Sequence, residues 1–474
     1  MAKTLTPDIC VIGAGSGGLS VAAAASAFGV SVVLIEKGEM GGDCLNYGCI
    51  PSKALIASGK QAQTIRDASK FGVTAGKPKV NFKKVHDHVH SVIETIAPMD
   101  SQERFEALGV TVIREAARFK DKKTVVAGDT EIKARRFVVA TGSSPFVPPI
   151  PGIDKVPHHT NETIFTRTES AGRLIVIGGG PIGMEMAQAH QRLGCDVTVI
   201  EGDRALGKDD PELAAIVLDK VREEGVTILE KTKVVKVEQG KSGIVVHVET
   251  ADGTDKIEGD TLLVATGRKA NVAGLDLEKA GIEYDRSIKV SNKLRTTNKK
   301  VYAIGDVAGG LQFTHVAGYH AGLVIRAMLF RLPAKNKTEH IPWSTYTVPE
   351  LANVGHTEAS ARKAHGEKIQ ILRWPFAEND RAQADKKTAG LIKMITDKKG
   401  KILGVGIAGE SAGEMMNMWA LAVSKGMTVK DIAGYVSPYP TMTEIGKRAA
   451  TSYYTPTTRK PLVRSVVNFL RMFG

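Results

Sequence analysis

Cysteine is scarce in this chain, with four in 474 residues. That excludes a disulfide-stapled secreted scaffold and points to a reducing, cytoplasmic setting. Long apolar runs are also missing. The most apolar stretch, Val21 to Ile35, is broken at Gly29 and follows a glycine-rich loop, so it reads as helix then strand, not as an export signal or membrane span. The lysine run at Lys398, Lys399 and Lys401 has no aromatic residue interleaved in it. The formal charge of +13 would suit nucleic acid or an anionic surface, but the lysines fall in short solvated runs such as Lys398, Lys399 and Lys401, and no nucleic-acid binding is expected. No metal site is expected either, because His86, His88 and His90 alternate within a predicted helix and only His86 and His90 share a face.

What the chain has is length and glycine. At 474 residues, 42% of them hydrophobic and 49 of them glycine, it is expected to form about three domains of an α/β protein. One pattern occurs twice. An apolar strand, Ile9 to Ile12, runs into a turn carrying Gly13, Gly15 and Gly18, then a helix, then the strand Val32 to Ile35 ending at Glu36. The second copy runs from Leu174–Ile177 through Gly178, Gly180 and Gly183 to Val197–Ile200 and Glu201. From first glycine to acid is 23 residues in both.

These residue types suit dinucleotide binding. The first glycine allows a tight turn, the second lets the backbone approach a pyrophosphate, and the third allows close helix packing. The helix dipole then meets phosphate charge, while Glu36 and Glu201 accept from ribose hydroxyls. Each copy also ends alike, in Ala140-Thr141-Gly142 and Ala265-Thr266-Gly267. Two dinucleotides are therefore expected. The interval from acid to this ending is 104 residues in the first copy and 64 in the second, so the first carries an insertion.

Inside the insertion lies Gly41-Gly42-Asp43-Cys44-Leu45-Asn46-Tyr47-Gly48-Cys49-Ile50-Pro51-Ser52-Lys53. Two cysteines five apart at the start of a predicted helix can close a small disulfide, and the helix dipole favours a thiolate there. An inert staple is disfavoured in a reducing compartment, and no second cysteine pair exists to complete a metal site. A redox pair is the expected reading.

These motifs resemble those of the class I pyridine nucleotide-disulfide oxidoreductases, the family of dihydrolipoamide dehydrogenase, glutathione reductase and mercuric reductase. The resemblance implies two Rossmann-like dinucleotide-binding domains and a C-terminal α+β dimerisation domain. The implied divisions are an FAD-binding domain at 1–150 and 271–340, an NAD(P)-binding domain at 151–270, and a dimerisation domain with a basic amphipathic tail at 341–474. It also implies that Cys49 faces the flavin, that Cys44 attacks the substrate, and that Lys53 and Glu185 pair beside flavin N5. Gly42, Thr141, Gly142 and Asp306, the last in Val301-Tyr302-Ala303-Ile304-Gly305-Asp306, join Lys53 among the FAD contacts, and Gly267 among the NAD contacts. Cys10 and Cys195 match no redox position and are expected to be core thiols.

One departure bears on the substrate. The family's disulfide reductases carry a His-Pro-Thr-x-x-Glu segment whose histidine, from the partner subunit, moves protons for thiol exchange. Here it reads Tyr439-Pro440-Thr441-Met442-Thr443-Glu444. Tyrosine at this place is a mercuric reductase trait, yet that enzyme's C-terminal cysteine pair is missing. Glu444, without a histidine to orient, is expected to hold the tyrosine hydroxyl.

The expected protein is thus a homodimeric, FAD-dependent oxidoreductase preferring NADH, acting on a small or protein-bound dithiol or disulfide as dihydrolipoamide dehydrogenase does. A metal-ion reductase and a flavin-binding scaffold of low turnover are the alternatives. In the tail, Leu462, Val466, Val467, Leu470 and Phe473 fall on one helical face, and packing on the dimer is favoured there over membrane binding.

Overall fold

Short segments rich in Val, Ile and Leu, most of them largely buried, become the strands of two parallel sheets. The computed structural model describes residues 3–473. The chain divides into two units, one formed by the residues up to Gly202 with Thr227–Lys337, the other by Asp203–Val226 with the chain from Thr338 onward.

In the first unit, β1 (Ile9–Ile12), β2 (Val32–Ile35), β3 (Thr111–Ile113) and β4 (Arg136–Val139) join the strand Val301–Ala303 in a five-stranded parallel sheet. Val301–Ala303 lies at one edge and β3 at the other. Alternate side chains serve opposite faces. Ile9, Val11, Val32 and Leu34 pack with Leu19 and Val21 of helix α1 (Ser16–Ala27). Cys10, Ile12, Val33 and Ile35 pack with Phe119, Val125 and Ile132 from a small neighbouring sheet. The insertion between β2 and β4 holds α2 (Gly42–Asn46), α3 (Cys49–Asp67) and the helix Phe82–Ile96. In the last of these, His86 and His90 stack with ring centroids 3.9 Å apart.

The second repeat forms β5 (Arg173–Ile177), β6 (Asp196–Ile200), β7 (Thr227–Leu229) and β8 (Thr261–Val264), parallel and ordered β7-β6-β5-β8. Helix α4 (Pro181–Arg192) connects β5 to β6, and three antiparallel strands within 233–259 cover one face with Val237, Val246 and Val248. The helix α5 (Thr314–Leu329) closes this unit, with Ala321 and Val324 against the β1 sheet.

The second unit is built on an antiparallel sheet of β9 (Pro342–Thr345), β10 (Glu350–Gly355), β11 (Ile369–Pro375), β12 (Leu391–Asp397) and β13 (Ile402–Gly409), ordered β9-β10-β13-β12-β11. Trp419 of α6 (Ala412–Lys425) is fully buried with Ile445 and Ala449 of α7 (Glu444–Ser452). The helix Pro211–Glu223 belongs to this unit although it follows the second repeat in sequence. An ionic cluster shows why. Buried Lys393 on β12 reaches Asp210 at 2.9 Å, Glu212 at 2.8 Å and Glu358 at 2.7 Å. Asp209 accepts from Trp343 Nε1 at 2.8 Å and Asn353 Nδ2 at 3.0 Å. The tail forms α8 (Pro461–Leu470) and a final turn, Arg471–Phe473.

Candidate active site

The duplication seen in the sequence is a duplication of geometry. Gly13 and Gly178 take φ of +105° and +111°, a region that favours glycine. A Cβ on Gly18 would lie 1.8 Å from the Gly13 carbonyl oxygen, and one on Gly183 would lie 1.9 Å from that of Gly178. Each third glycine therefore lets the first turn of its helix press on the turn before it. At the middle positions there is space instead. A Cβ on Gly180 would meet nothing within 4 Å, and one on Gly15 only Gly42 Cα at 4.0 Å. Both openings lie at a helix N-terminus just past a strand's C-terminal end, where a pyrophosphate binds best.

The two acids also match. Glu36 Oε2 accepts from the Ala14 backbone N–H at 2.6 Å, and Glu201 Oε2 accepts from that of Gly179 at 2.7 Å. Gly38 N–H donates to the other Glu36 oxygen at 2.7 Å. These bonds aim each carboxylate beside its glycine turn. A carboxylate has about four lone-pair sites, so capacity for ribose hydroxyls remains.

The sulfur pair sits where α2 hands over to α3. Cys44 is half-buried in α2, and Cys49, exposed, is the first residue of α3. Both are free thiols. A hydrogen bond from Cys44, above all, brings the Cys49 thiol down to about 6. The Thr314 hydroxyl, 3.3 Å from the sulfur, and the charge of Lys53 act in the same direction, against the partial desolvation of the sulfur by the protein around it. Cys44 is pushed up, first by the same hydrogen bond and then by burial. One sulfur is thus a thiolate at neutral pH and the other its proton donor, at the positive end of a 19-residue helix.

One turn along α3, Lys53 Nζ meets Glu185 Oε2 of α4 at 2.8 Å, with the glutamate side chain only 6% exposed. The structure thus brings Cys44, Cys49, Lys53 and Glu185 into one locality. Cys10 and Cys195 are buried elsewhere. Among the described residues no group of three or more His, Cys, Asp or Glu is placed to hold a metal ion.

Several residues here were not foreseen. Arg268, largely buried, reaches Asp43 at 3.0 Å, donates to Ser143 Oγ at 2.7 Å and lies 4.0 Å from Asp306. It ties the cysteine loop to the segment after Val301–Ala303. Ser143 Oγ donates to Asp306 at 2.5 Å, while burial raises the Asp306 carboxyl. Asn161 donates to Asp43 Oδ1 at 3.0 Å and to the Tyr47 carbonyl at 3.1 Å. Thr141 Oγ1 donates to the Asn271 carbonyl at 2.8 Å, and Asn271 Nδ2 donates back to the Thr141 carbonyl at 2.9 Å. The only sequence signal for Arg268 is its place directly after Gly267.

In the second unit Tyr439 is 69% exposed, and its hydroxyl donates to Asp380 Oδ2 at 2.9 Å. The expectation that Glu444 would hold it is corrected. Asn379 Nδ2 donates to the Thr441 carbonyl at 3.0 Å, which brings the neighbouring Asp380 to the tyrosine. Glu444 opens α7 instead. The Asp380 bond, with a smaller push from Glu444, raises the phenol above its ordinary value.

Residues 7–321 match the pyridine nucleotide-disulphide oxidoreductase family and residues 341–450 match that family's dimerisation domain. The chain is 34% identical over 451 residues to a mercuric reductase of Lysinibacillus sphaericus, covering 94% of this chain and 82% of that one. It is 34% identical over 453 residues to the dihydrolipoyl dehydrogenase of Bacillus subtilis, covering 94% and 95%. The HOCl-induced flavoprotein disulfide reductase RclA of Escherichia coli superimposes with a TM-score of 0.84 at 28% identity, over 94% of this chain and 99% of that one.

Two dinucleotide cradles and a polarised cysteine pair define an FAD-dependent oxidoreductase that uses a pyridine nucleotide. The chain belongs to the class I pyridine nucleotide-disulfide oxidoreductase family. Its residues fit the cofactor: the first glycine turn is open at Gly15, Glu36 is oriented beside it, and Asp306 is held on the same side of the unit by Ser143.

Proposed function

We propose that Cys44 and Cys49 are the redox couple and that the acceptor or donor is a dithiol or disulfide of the dihydrolipoyl kind. The polarised thiol–thiolate pair carries this reading. Gly13, Gly15, Gly18, Glu36, Gly42, Thr141, Gly142 and Asp306 would hold FAD, which would supply a two-electron relay between the nicotinamide ring and the cysteine disulfide, and Gly178, Gly180, Gly183, Glu201 and Gly267 would hold the nucleotide. Glu201 favours NADH, because a carboxylate repels a 2′-phosphate and accepts from a 2′-hydroxyl.

The chain's own chemistry begins with a proton. Cys44 passes its proton to the Cys49 thiolate across their hydrogen bond, and the Cys44 thiolate attacks a substrate sulfur, breaking the substrate S–S bond. A Cys44–substrate mixed disulfide forms, and the leaving sulfur takes up a proton from solvent. Cys49, giving its own proton to the second leaving sulfur, attacks Cys44 and closes the protein disulfide. One substrate disulfide thus becomes two thiols, and two cysteines become one cystine. Lys53 steadies the Cys49 charge, and Glu185 steadies Lys53.

A second reading rests on Tyr439, a phenol raised above its ordinary value by its bond to Asp380 and so a poor proton carrier near neutral pH. It favours an acceptor that needs electrons but no protons, a soft metal ion taken by the dithiol. We place the enzyme in the cytoplasm as a homodimer. Assaying the pure protein with lipoamide, glutathione disulfide and Hg(II) in parallel tests the assignment. NADH-driven turnover of lipoamide supports the dithiol reading, turnover of Hg(II) alone transfers it to the second, and turnover of neither, with FAD bound, removes both in favour of a flavin-binding scaffold.

A further inference from the structure

We propose that the C-terminal segment, α8 and the turn after it, docks on an anionic lipid bilayer. Its helix buries no residue. Leu462 is 76% exposed, Phe469 58%, Leu470 59% and Phe473 74%. At 3.6 residues per turn, Leu462, Val463, Val466, Val467, Phe469, Leu470 and Phe473 fill an arc of about 160°. Arg464, Ser465, Asn468 and Arg471 fill the rest, with Met472 the one apolar intruder. An apolar face this continuous is rare on a surface bathed in water.

Charge selects the occupant. After Glu444 no acidic residue follows as far as Phe473, while Lys447, Arg448, Arg459, Lys460, Arg464 and Arg471 are basic. A second copy of this segment would bring like charges together. Anionic headgroups complement them, and the phenylalanine and leucine face enters the acyl boundary. The match to the dimerisation domain ends at residue 450, before α8 begins. Thirteen helical residues span roughly 20 Å, less than the ~30 Å of a bilayer core, so the segment lies in the interface without crossing. Among the described residues no helix is long and apolar enough to cross a membrane.

The test sediments the full-length, FAD-loaded protein with vesicles of phosphatidylcholine plus phosphatidylglycerol, and with vesicles of phosphatidylcholine alone. The bound fraction should be at least about tenfold higher on the anionic vesicles and fall as salt is raised. Leu470→Glu with Phe473→Glu should abolish binding, and Arg464→Glu with Arg471→Glu should weaken it. NADH-driven turnover and native mass should stay unchanged in both. Equal binding to neutral vesicles, or none to either, overturns the proposal. So does a fall in native mass on Leu470→Glu with Phe473→Glu, which would assign the face to a second copy.

Discussion

Cys49 should titrate as an acid thiol, and the residues responsible should be separable. With a midpoint of about 6, the sulfur is ~90% thiolate at pH 7, whereas an ordinary thiol near ~8.5 is about 3% thiolate. That is a roughly 30-fold gain in the reactive form. Thiolate nucleophilicity falls by ~0.4–0.5 log units per unit of pKa, which takes back about tenfold. The net advantage at pH 7 is therefore only about threefold. At pH 6 the gain in thiolate is ~150-fold and the net advantage about tenfold. The pH midpoint is thus the diagnostic, and a single rate at neutral pH is not. The assay is iodoacetamide labelling of the reduced protein across pH 4.5 to 9.5, with Cys49 and Cys44 followed in separate peptides by mass spectrometry. Cys44→Ala should move the Cys49 midpoint up furthest, because it removes the largest stabilising bond. Thr314→Val should move it less and Lys53→Met least, in the order of their contributions. A midpoint near ~8.5 in the unaltered protein, or one indifferent to Cys44→Ala, would refute the account of a proton shared between the sulfurs.

Gly183→Ala places a methyl 1.9 Å from the Gly178 oxygen, so the variant should keep its flavin and lose most NADH affinity, measured as KM for NADH in a dye-reduction assay; unchanged KM would show that the second repeat is not the nucleotide site. Glu201→Ala should narrow the NADH over NADPH preference, read as the ratio of kcat/KM values. Tyr439→His should raise lipoamide turnover, by as much as the 10²–10⁴-fold that acid–base help typically supplies, while stopped-flow reduction of FAD by NADH stays the same; a fall in lipoamide turnover would make Tyr439 itself the working group. Lys393→Met should destabilise the second unit by roughly 3–5 kcal/mol, since it strands Asp210 with two further carboxylates. Burial pulls Lys393 down, but its bonds to Glu212, Glu358 and Asp210 raise it overall, so its contribution is present below the unfolded lysine value and lost only on the alkaline side. Arg373 and Lys393 lower Glu212, and Lys393 leads in lowering Glu358. Their contribution is present above the unfolded glutamate value and lost as pH falls, so urea unfolding of the variant should show a weaker acid-side dependence than the parent.

The parts legible in the sequence are those whose geometry is fixed by near neighbours. A strand, a glycine turn, a helix and an acid lie within 23 residues of one another, and the tight turn leaves little choice at Gly13, Gly18, Gly178 and Gly183. Cys49 and Lys53 are a single helical turn apart, so their proximity follows once α3 is recognised. The residues that escaped notice act across long separations: Arg268 on Asp43, Thr314 on Cys49, Asn161 on Asp43. Periodicity carries no trace of such pairs. The helix Pro211–Glu223 escaped for the same reason, since its partners Lys393 and Arg373 lie far along the chain.

Tyr439 marks the boundary between what pattern and what packing decide. The sequence shows that tyrosine stands where a histidine is usual, and elementary acidity says that the phenol is a poor proton carrier at neutral pH. Its partner decides how poor. Glu444, three residues from Thr441, is the obvious candidate by position, but the Asn379–Thr441 bond brings in Asp380, the first residue of the short helix Asp380–Ala384. An anionic acceptor stabilises the protonated phenol and pushes it further from neutrality. Electron delivery and proton handling are therefore specified separately in this chain. The first rests on the cysteine pair and the glycine turns. On the proposed reading that the second falls to Tyr439, the number of protons an acceptor requires, two for a disulfide and none for a soft metal ion, should decide which acceptors turn over, and NADH-driven rates with lipoamide and Hg(II) side by side measure it.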